Sequence, residues 1–402
     1  MNKEKIQINS GVAYPQGFLA LGVSAGIKKN KQALDLGALI SSESCSCAAV
    51  FTQNRFCAPS VEYSRQIVKS GKMRGIIVNS GNANAGTGVQ GVENVDIMVK
   101  VGERVFQLPP HSLAIAQTGI IGVQIDITKV IDGIIKLRNQ PGDSSSFARA
   151  IMTTDTTIKE YANEIVATSG HYRIGGCAKG SGMIHPNLAT MLAFVTTDAK
   201  VSPSFLKKII GPATDVTFNS ISVDRDTSTN DSVYLLANGK SGVEIKEGTK
   251  EGQQFVQAIQ EAFGSLARQI ILDGEGATKL MAVNVSGAKT LADARAAARA
   301  VASSSLVKTA LHGGDPNWGR IMAAAGYSGA KIDMRVASLH INDICLYKNE
   351  MPFSQNLGMA ALALKEKEST INLNLNLGKY QATAWGCDLS ARYVAINSEY
   401  AT

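Results

Sequence analysis

The sequence predicts an α/β protein, on two observations. Stretches with helical apolar spacing alternate with short extended apolar runs along the whole chain. The composition, 45% hydrophobic against 18% charged, is that of a folded chain rather than a disordered one. At 402 residues there is enough chain for two or three core-bearing lobes. Glycine is abundant (38) and aromatics are scarce, which suits tight turns and a core of Val, Ile, Leu and Ala.

From the N-terminus, Phe18 to Val23, Leu36 to Ile40, Ala48 to Phe51 and Gly75 to Val78 read as extended segments. Asn79 to Gly91 is a polar, glycine-rich loop. Asn94 to Gln107 is helical, with Val95, Met98, Val101 and Val105 on one face. The run Leu113, Ala114, Ile115 is a short strand that delivers the chain to Gln117-Thr118-Gly119. A helix over Ile127 to Arg138 ends before Pro141-Gly142, and Ser144 to Ser146 can cap another that leads into Met152-Thr153-Thr154-Asp155. Met191 to Val195 is a buried-strand pattern. Ser204 to Phe218 and Phe255 to Leu272 are amphipathic helices, the second closed by Gly274. Met281, Val283 and Val285 alternate as a strand, and Leu291 to Leu311 is an Ala-rich helix behind a Thr290 cap. Ile371 to Leu377 alternates apolar and polar without a break; Gly378 then turns the chain into Gln381 to Trp385, the expected second strand of a hairpin.

The formal charge of +7 reads first as a basic surface and second as attraction for acidic small molecules. Scattered Lys and Arg, with no basic run and no interleaved aromatics, argue against a nucleic-acid partner. The six cysteines show no metal-ligand spacing and no metal is expected; buried reduced thiols of a cytoplasmic protein are. The Met1 to Gln7 segment is too polar for a signal peptide, and no apolar run approaches the roughly 20 residues of a membrane helix, so no membrane association is expected.

The most informative stretch is Lys179-Gly-Ser-Gly-Met-Ile-His-Pro-Asn-Leu-Ala-Thr190-Met-Leu-Ala-Phe194. A threonine hydroxyl is a weak nucleophile without an adjacent base, and its nearest possible base is its own α-amine, free only if the Ala189–Thr190 peptide bond is cut. That amine titrates near pH ~8, within reach of neutrality. The segment resembles the self-processing stretch of the ornithine acetyltransferase (glutamate N-acetyltransferase) family. Four further stretches resemble it too: Asn79 to Gly86, Gln117 to Gly122, Asp315-Pro-Asn-Trp-Gly-Arg320, and the tail from Cys387 through Asn397 to Thr402. The resemblance as a whole runs from Gly17 to the last residue.

The resemblance implies a layered α-β-β-α architecture shared with the β-aminopeptidases, and cleavage into an α chain (1–189) and a β chain (190–402) that form one interleaved unit. It makes Thr190 the nucleophile and the Thr118-Gly119 pair the oxyanion hole. On the residues alone that pair reads first as an ordinary turn at a strand end and only second as an oxyanion hole. Lys179, alone a surface lysine, becomes a substrate-binding one, together with a threonine of the Met-Thr-Thr-Asp segment, matched to Thr153 with Thr154 as the near alternative. Glu275, between Gly274 and Gly276, is expected at the substrate amine, and Asn397 and Thr402 as further substrate contacts. Arg225 stands where the family often has glycine, a departure bearing on backbone geometry there.

The expected reaction is ping-pong acetyl transfer from N2-acetylornithine to glutamate through acetyl-Thr190, with no cofactor, acetyl-CoA as a further co-substrate, and an α2β2 heterotetramer as the assembly. The competing readings are a β-aminopeptidase-like amidohydrolase, which would generally carry Ser at the cut, and a non-catalytic binding protein whose chain stays intact.

Overall fold

The computed structural model describes residues 11–185 and 191–399. Its first sheet is assembled from β1 (Phe18–Val23), β2 (Leu36–Phe51), β3 (Lys72–Asn82), β4 (Leu113–Ile120), β5 (Lys159–Ala167), β6 (Gly170–Lys179), β7 (Leu192–Thr197) and, past the short β8 (Lys200–Val201) and β9 (Ile221–Ser222), β10 (Ser232–Ala237). The order is β4-β3-β2-β10-β7-β6-β5, with β1 paired to β2. Strand β10 lies antiparallel to β2 and parallel to β7. Segments from either side of residues 186–190 are thus woven into one sheet.

Both faces of that sheet are covered, which is why its strands read as continuous apolar runs. Along β7, Leu192 and Phe194 join a core with Phe147 and Tyr234, while Ala193 and Val195 join the opposite core. Helices α1 (Pro59–Lys69), α2 (Gly88–Phe106), α3 (Ile127–Leu137) and α4 (Ser144–Ala150) pack on the N-terminal half. Helices α5 (Pro203–Asp215) and α6 (Lys250–Leu272) bury Phe205, Ile209, Phe255, Phe263 and Ile270 against β6, β7 and β10. The same core takes in Ile221, Leu280 and Cys387 of the second sheet.

Beyond β11 (Glu244–Ile245), which pairs with β8, that second sheet contains β12 (Leu280–Ala288), β13 (Ser338–Ile341), β14 (Ile344–Lys348), β15 (Met351–Pro352), β16 (Glu368–Asn374) and β17 (Tyr380–Cys387), in the order β15-β14-β13-β16-β12-β17-β9. Helices α7 (Leu291–Ser303), α8 (Ser305–Gly313), α9 (Trp318–Gly326) and α10 (Leu357–Ala363) cover its apolar side. The other side carries a polar ladder: Asn284 donates to Asn372 (3.0 Å) and accepts from Thr383 (2.8 Å). Helix α11 (Ala391–Glu399) follows β17. The chain is α/β with stacked sheets, as the resemblance implied.

The individual elements lie close to where the residue pattern puts them, whereas several of their pairings differ. The expected 371–385 hairpin is absent: β12 lies between β16 and β17, parallel to the first and antiparallel to the second. Leu36–Ile40 and Ala48–Phe51 are parts of one strand, with a register shift between Ile40 and Cys45. The helix expected over 291–311 breaks at Ser304, whose extended backbone and side chain cap α8 through the Val307 N–H. Asp143, rather than a serine, caps α4 by accepting from Ser145 and Ser146. Thr290 caps α7 as expected. The C-cap of α6 is Asp273, and it is Gly276, not Gly274, that takes a positive φ there. The β5–β6 hairpin and α1, α9 and α11 had no assignment from the sequence.

Candidate active site

The first wall is built where β3 and β4 end side by side. These strands are parallel, and Gly81 lies opposite Gly119, with the register disturbed at Asn82. Gly119 has φ +130°, and a Cβ there would meet the Gly81 carbonyl carbon at 2.3 Å and the Asn82 nitrogen at 2.5 Å. Only glycine permits so close an approach of the two backbones. Buried amides hold the arrangement: Gln117 donates to Asn79 (2.8 Å), Asn84 to Gln117 (3.0 Å), and Asn79 to the Asn82 carbonyl (2.8 Å). Asn230 reaches across to the Ala83 carbonyl (2.7 Å). The Asn79–Gly86 loop is therefore a hydrogen-bonded brace behind the Thr118-Gly119 edge.

The second wall is the end of β6. Lys179 is buried, and its ammonium donates to the Thr153 hydroxyl at 2.8 Å and lies 3.5 Å from that of Thr118. Burial lowers its pKa from the ordinary lysine value, and the Asp155 carboxylate opposes the shift. Asp155 is itself wholly buried. Burial alone would raise its pKa, but Lys179, Lys159 and hydrogen bonds outweigh it and hold it at about 2. The neighbouring Thr154 pairs instead with Ser181 (2.7 Å).

From there the chain turns through Gly180 (φ +149°) and Met183 (φ +56°). Asp224 pins this turn by accepting from the Met183 N–H (2.6 Å) and the Ile184 N–H (2.8 Å), and Tyr393 of α11 donates to it (3.2 Å). Burial raises the Asp224 pKa. His185 sits between Ser222 (Nδ1, 3.0 Å) and Arg299 (Nε2, 3.3 Å). Burial first, then Arg299 and Arg225, lower its pKa to about 4. Since a guanidinium only donates, Nε2 accepts and Nδ1 carries the proton to Ser222.

The third wall is the turn after α6. The Glu275 N–H donates to the Ser181 carbonyl (2.9 Å), and Asn397 donates to the Glu275 carboxylate (2.7 Å). A Cβ on Gly182 would lie 2.4 Å from that carboxylate, so the glycine makes room for Glu275.

One cleft is lined by Thr118, Gly119, Thr153, Thr154, Lys179, Glu275 and Asn397 together with Met191 and Leu192, where the chain enters β7. All the expected site residues that the structure describes thus converge. Ala189, Thr190 and Thr402 lie outside the described residues. The structure adds Asp155, Asp224 and Tyr393 to the expected set; Asp155 closes the Met-Thr-Thr-Asp segment and Tyr393 belongs to the tail that begins at Cys387. Arg225, at φ +72° and exposed, is in the left-handed conformation that explains why glycine suits the position. Among the described residues no group of three or more His, Cys, Asp or Glu could hold a metal ion, all six cysteines are free, and no helix is long and apolar enough to cross a membrane.

Comparison with known proteins places this arrangement. The model of the ArgJ family matches residues 19–402. The arginine biosynthesis bifunctional protein ArgJ of Dehalococcoides mccartyi is 44% identical over 396 residues, covering 98% of each chain. The protein of the same name from Bacillus cereus is 42% identical over 398 residues, 98% of this chain and 97% of its own. Among solved structures, a crystal structure of arginine biosynthesis bifunctional protein ArgJ from Bacillus halodurans aligns with TM-score 0.51 at 41% identity, over 52% of this chain and all of that one.

Proposed function

This chain belongs to the ArgJ family, an acyltransferase family of arginine biosynthesis, and from that premise we propose how its residues carry out acetyl transfer. The chain cuts itself between Ala189 and Thr190, and the freed α-amine of Thr190 takes the proton from its own hydroxyl. That hydroxyl attacks the acetyl carbonyl of N2-acetylornithine. The carbonyl oxygen gains negative charge and is met by the Thr118 hydroxyl and the Gly119 N–H. Collapse expels ornithine, whose leaving nitrogen takes the proton back, and leaves acetyl-Thr190. Glutamate then attacks the ester through its neutral amine, and the hydroxyl is restored.

Lys179, presented by Thr153, binds the carboxylate common to both amino acids. Glu275, aimed by Asn397, receives the amine. The observation that carries this reading is the cleft itself: the strand that begins just after Thr190 opens into it beside a buried cation, a carboxylate and a glycine edge. The relatives' name, bifunctional, supports a second donor, for which we propose acetyl-CoA. We further propose that the two fragments assemble as an α2β2 heterotetramer in the cytoplasm, without a cofactor. Family membership disfavours the amidohydrolase alternative.

The test is direct. Denaturing mass analysis should show two pieces for the wild type and one for Thr190→Ala. Purified protein should acetylate glutamate from N2-acetylornithine, and then from acetyl-CoA. Release of acetate at the same rate with and without glutamate would defeat the transferase reading.

A further inference from the structure

We propose that Asp155 is the positioning residue of this site, the one group that sets Thr153 and Lys179 against each other. The geometry is a closed ring. Asp155 Oδ2 accepts from the Thr153 N–H at 2.9 Å, and the Thr153 hydroxyl accepts from Lys179 Nζ at 2.8 Å. The Gly180 N–H, in the peptide bond that follows Lys179, returns to Asp155 Oδ1 at 2.6 Å. Thr153 reaches the cleft from the loop after α4 and Lys179 from the end of β6, and no strand pairing joins those two segments at this point. The carboxylate joins them.

Its burial points to the same role. The Asp155 side chain is wholly shielded and ion-paired with Lys159, itself fully buried, at 2.7 Å. Lys159 continues to Asp273 at 2.6 Å, two residues before Glu275. Removing a carboxylate from water costs several kcal/mol unless its lone pairs are filled by well-placed donors. Here they are filled by one ammonium and two backbone N–H groups. The network therefore ties the lysine side of the cleft to the glutamate side through residues that do not line it.

Asp155 also acts on Lys179 through its charge. Asp155, Lys159, Asp231 and Glu275 face Lys179 electrostatically, as does Lys28, and among the carboxylates Asp155 opposes the effect of burial most strongly. Without Asp155, the lysine loses its proton at a lower pH. This inference rests on the reading that Lys179 binds the substrate carboxylate.

The experiment uses the full chain, with processing checked by denaturing mass, and compares wild type, Asp155→Asn, Asp155→Glu and Lys179→Met. For Asp155→Asn, KM for glutamate and for N2-acetylornithine should rise about tenfold to a hundredfold, the scale of a roughly 1 Å misplacement. The alkaline limb of kcat/KM should move to lower pH. Asp155→Glu keeps the charge opposite Lys159 but not the reach, so KM should rise while the alkaline limb stays in place. It serves as the test where the asparagine variant does not fold. A fall in kcat with KM and the alkaline limb both at wild-type values, or an unchanged KM in Asp155→Glu, would overturn the role. Unchanged KM in Lys179→Met would instead sink the carboxylate reading itself.

Discussion

Gly119→Ala tests the oxyanion edge most sharply, because the displacement it forces is legible in the structure. A methyl there would stand 2.3 Å from the Gly81 carbonyl carbon, whereas ordinary contact begins at 3.4 Å, so one strand end must retreat by about 1.1 Å. Strand β3 is held: the Asn82 carbonyl accepts from Asn79 (2.8 Å), the Asn82 side-chain oxygen from the Asn84 N–H (2.8 Å), and its amide donates to Val123 (3.0 Å). The retreat therefore falls on β4, and carries the Gly119 N–H and the Thr118 hydroxyl with it. Losing one oxyanion donor costs ~2.7–4 kcal/mol of barrier, so kcat should fall at least about a hundredfold. Overpacking and the glycine-type backbone should together remove roughly 2–6 kcal/mol of stability. The assay is steady-state acetyl transfer from N2-acetylornithine to glutamate on fully processed protein, with thermal unfolding alongside. KM should change little. A variant that unfolds earlier but keeps kcat within about threefold of wild type would refute the assignment of this edge to the developing negative charge.

Arg225→Gly should stabilise the protein by up to about 1.6 kcal/mol: relief of a left-handed arginine gains roughly 1–2 kcal/mol, less roughly 0.4–1 for the freer unfolded chain; a lowered melting temperature contradicts it. His185 should be neutral with its proton on Nδ1 at about pH 6, because its folded pKa lies near 4. The stability linked to that depressed base is present above about pH 6.5 and lost as pH falls toward 4, and nitrogen chemical shifts of an imidazolium at pH 6 would disprove it. Asp155, with its pKa held at about 2 in the fold, should contribute on the order of 2 kcal/mol of stability above about pH 4, lost as pH falls through 2. Urea unfolding of wild type and Asp155→Asn across that window should therefore converge in its pH dependence at the acid end. Parallel curves would show that the carboxylate is not selectively stabilised in the fold.

Much was readable from residue order alone, because some physics is local. Helical and strand periods follow from which side of an element meets the core, so α2, α3, α5, α6 and β7 fall near their expected places. Short-range capping is similarly legible at Thr290, where a hydroxyl lies three residues before the N–H it accepts. The site residues that line the cleft were named because motif chemistry and family resemblance both attach to sequence positions. Arg225 departs from a family preference for glycine at one such position, and its positive φ supplies the cause.

Pairing is where order alone ran out. The alternation of residues 371–377 fixes two faces for β16 but is silent about its neighbour, and β12, from far earlier in the chain, takes the place between β16 and β17 and pairs with both. The break at Ser304 is similar: alanine-rich sequence favours continued helix, yet Ser304 takes an extended backbone and starts α8 afresh, and α8 buries Lys308 against the Cys387 carbonyl. Asp155 and Asp224 could not be foreseen as organisers, since a carboxylate that accepts backbone N–H groups leaves no residue pattern to recognise. What the chain order determined was the class of element and the chemistry on offer. Only the tertiary structure decided which distant ends meet, because that depends on long-range burial, and it is this meeting that sets a lysine, a glutamate and a glycine edge around one cleft.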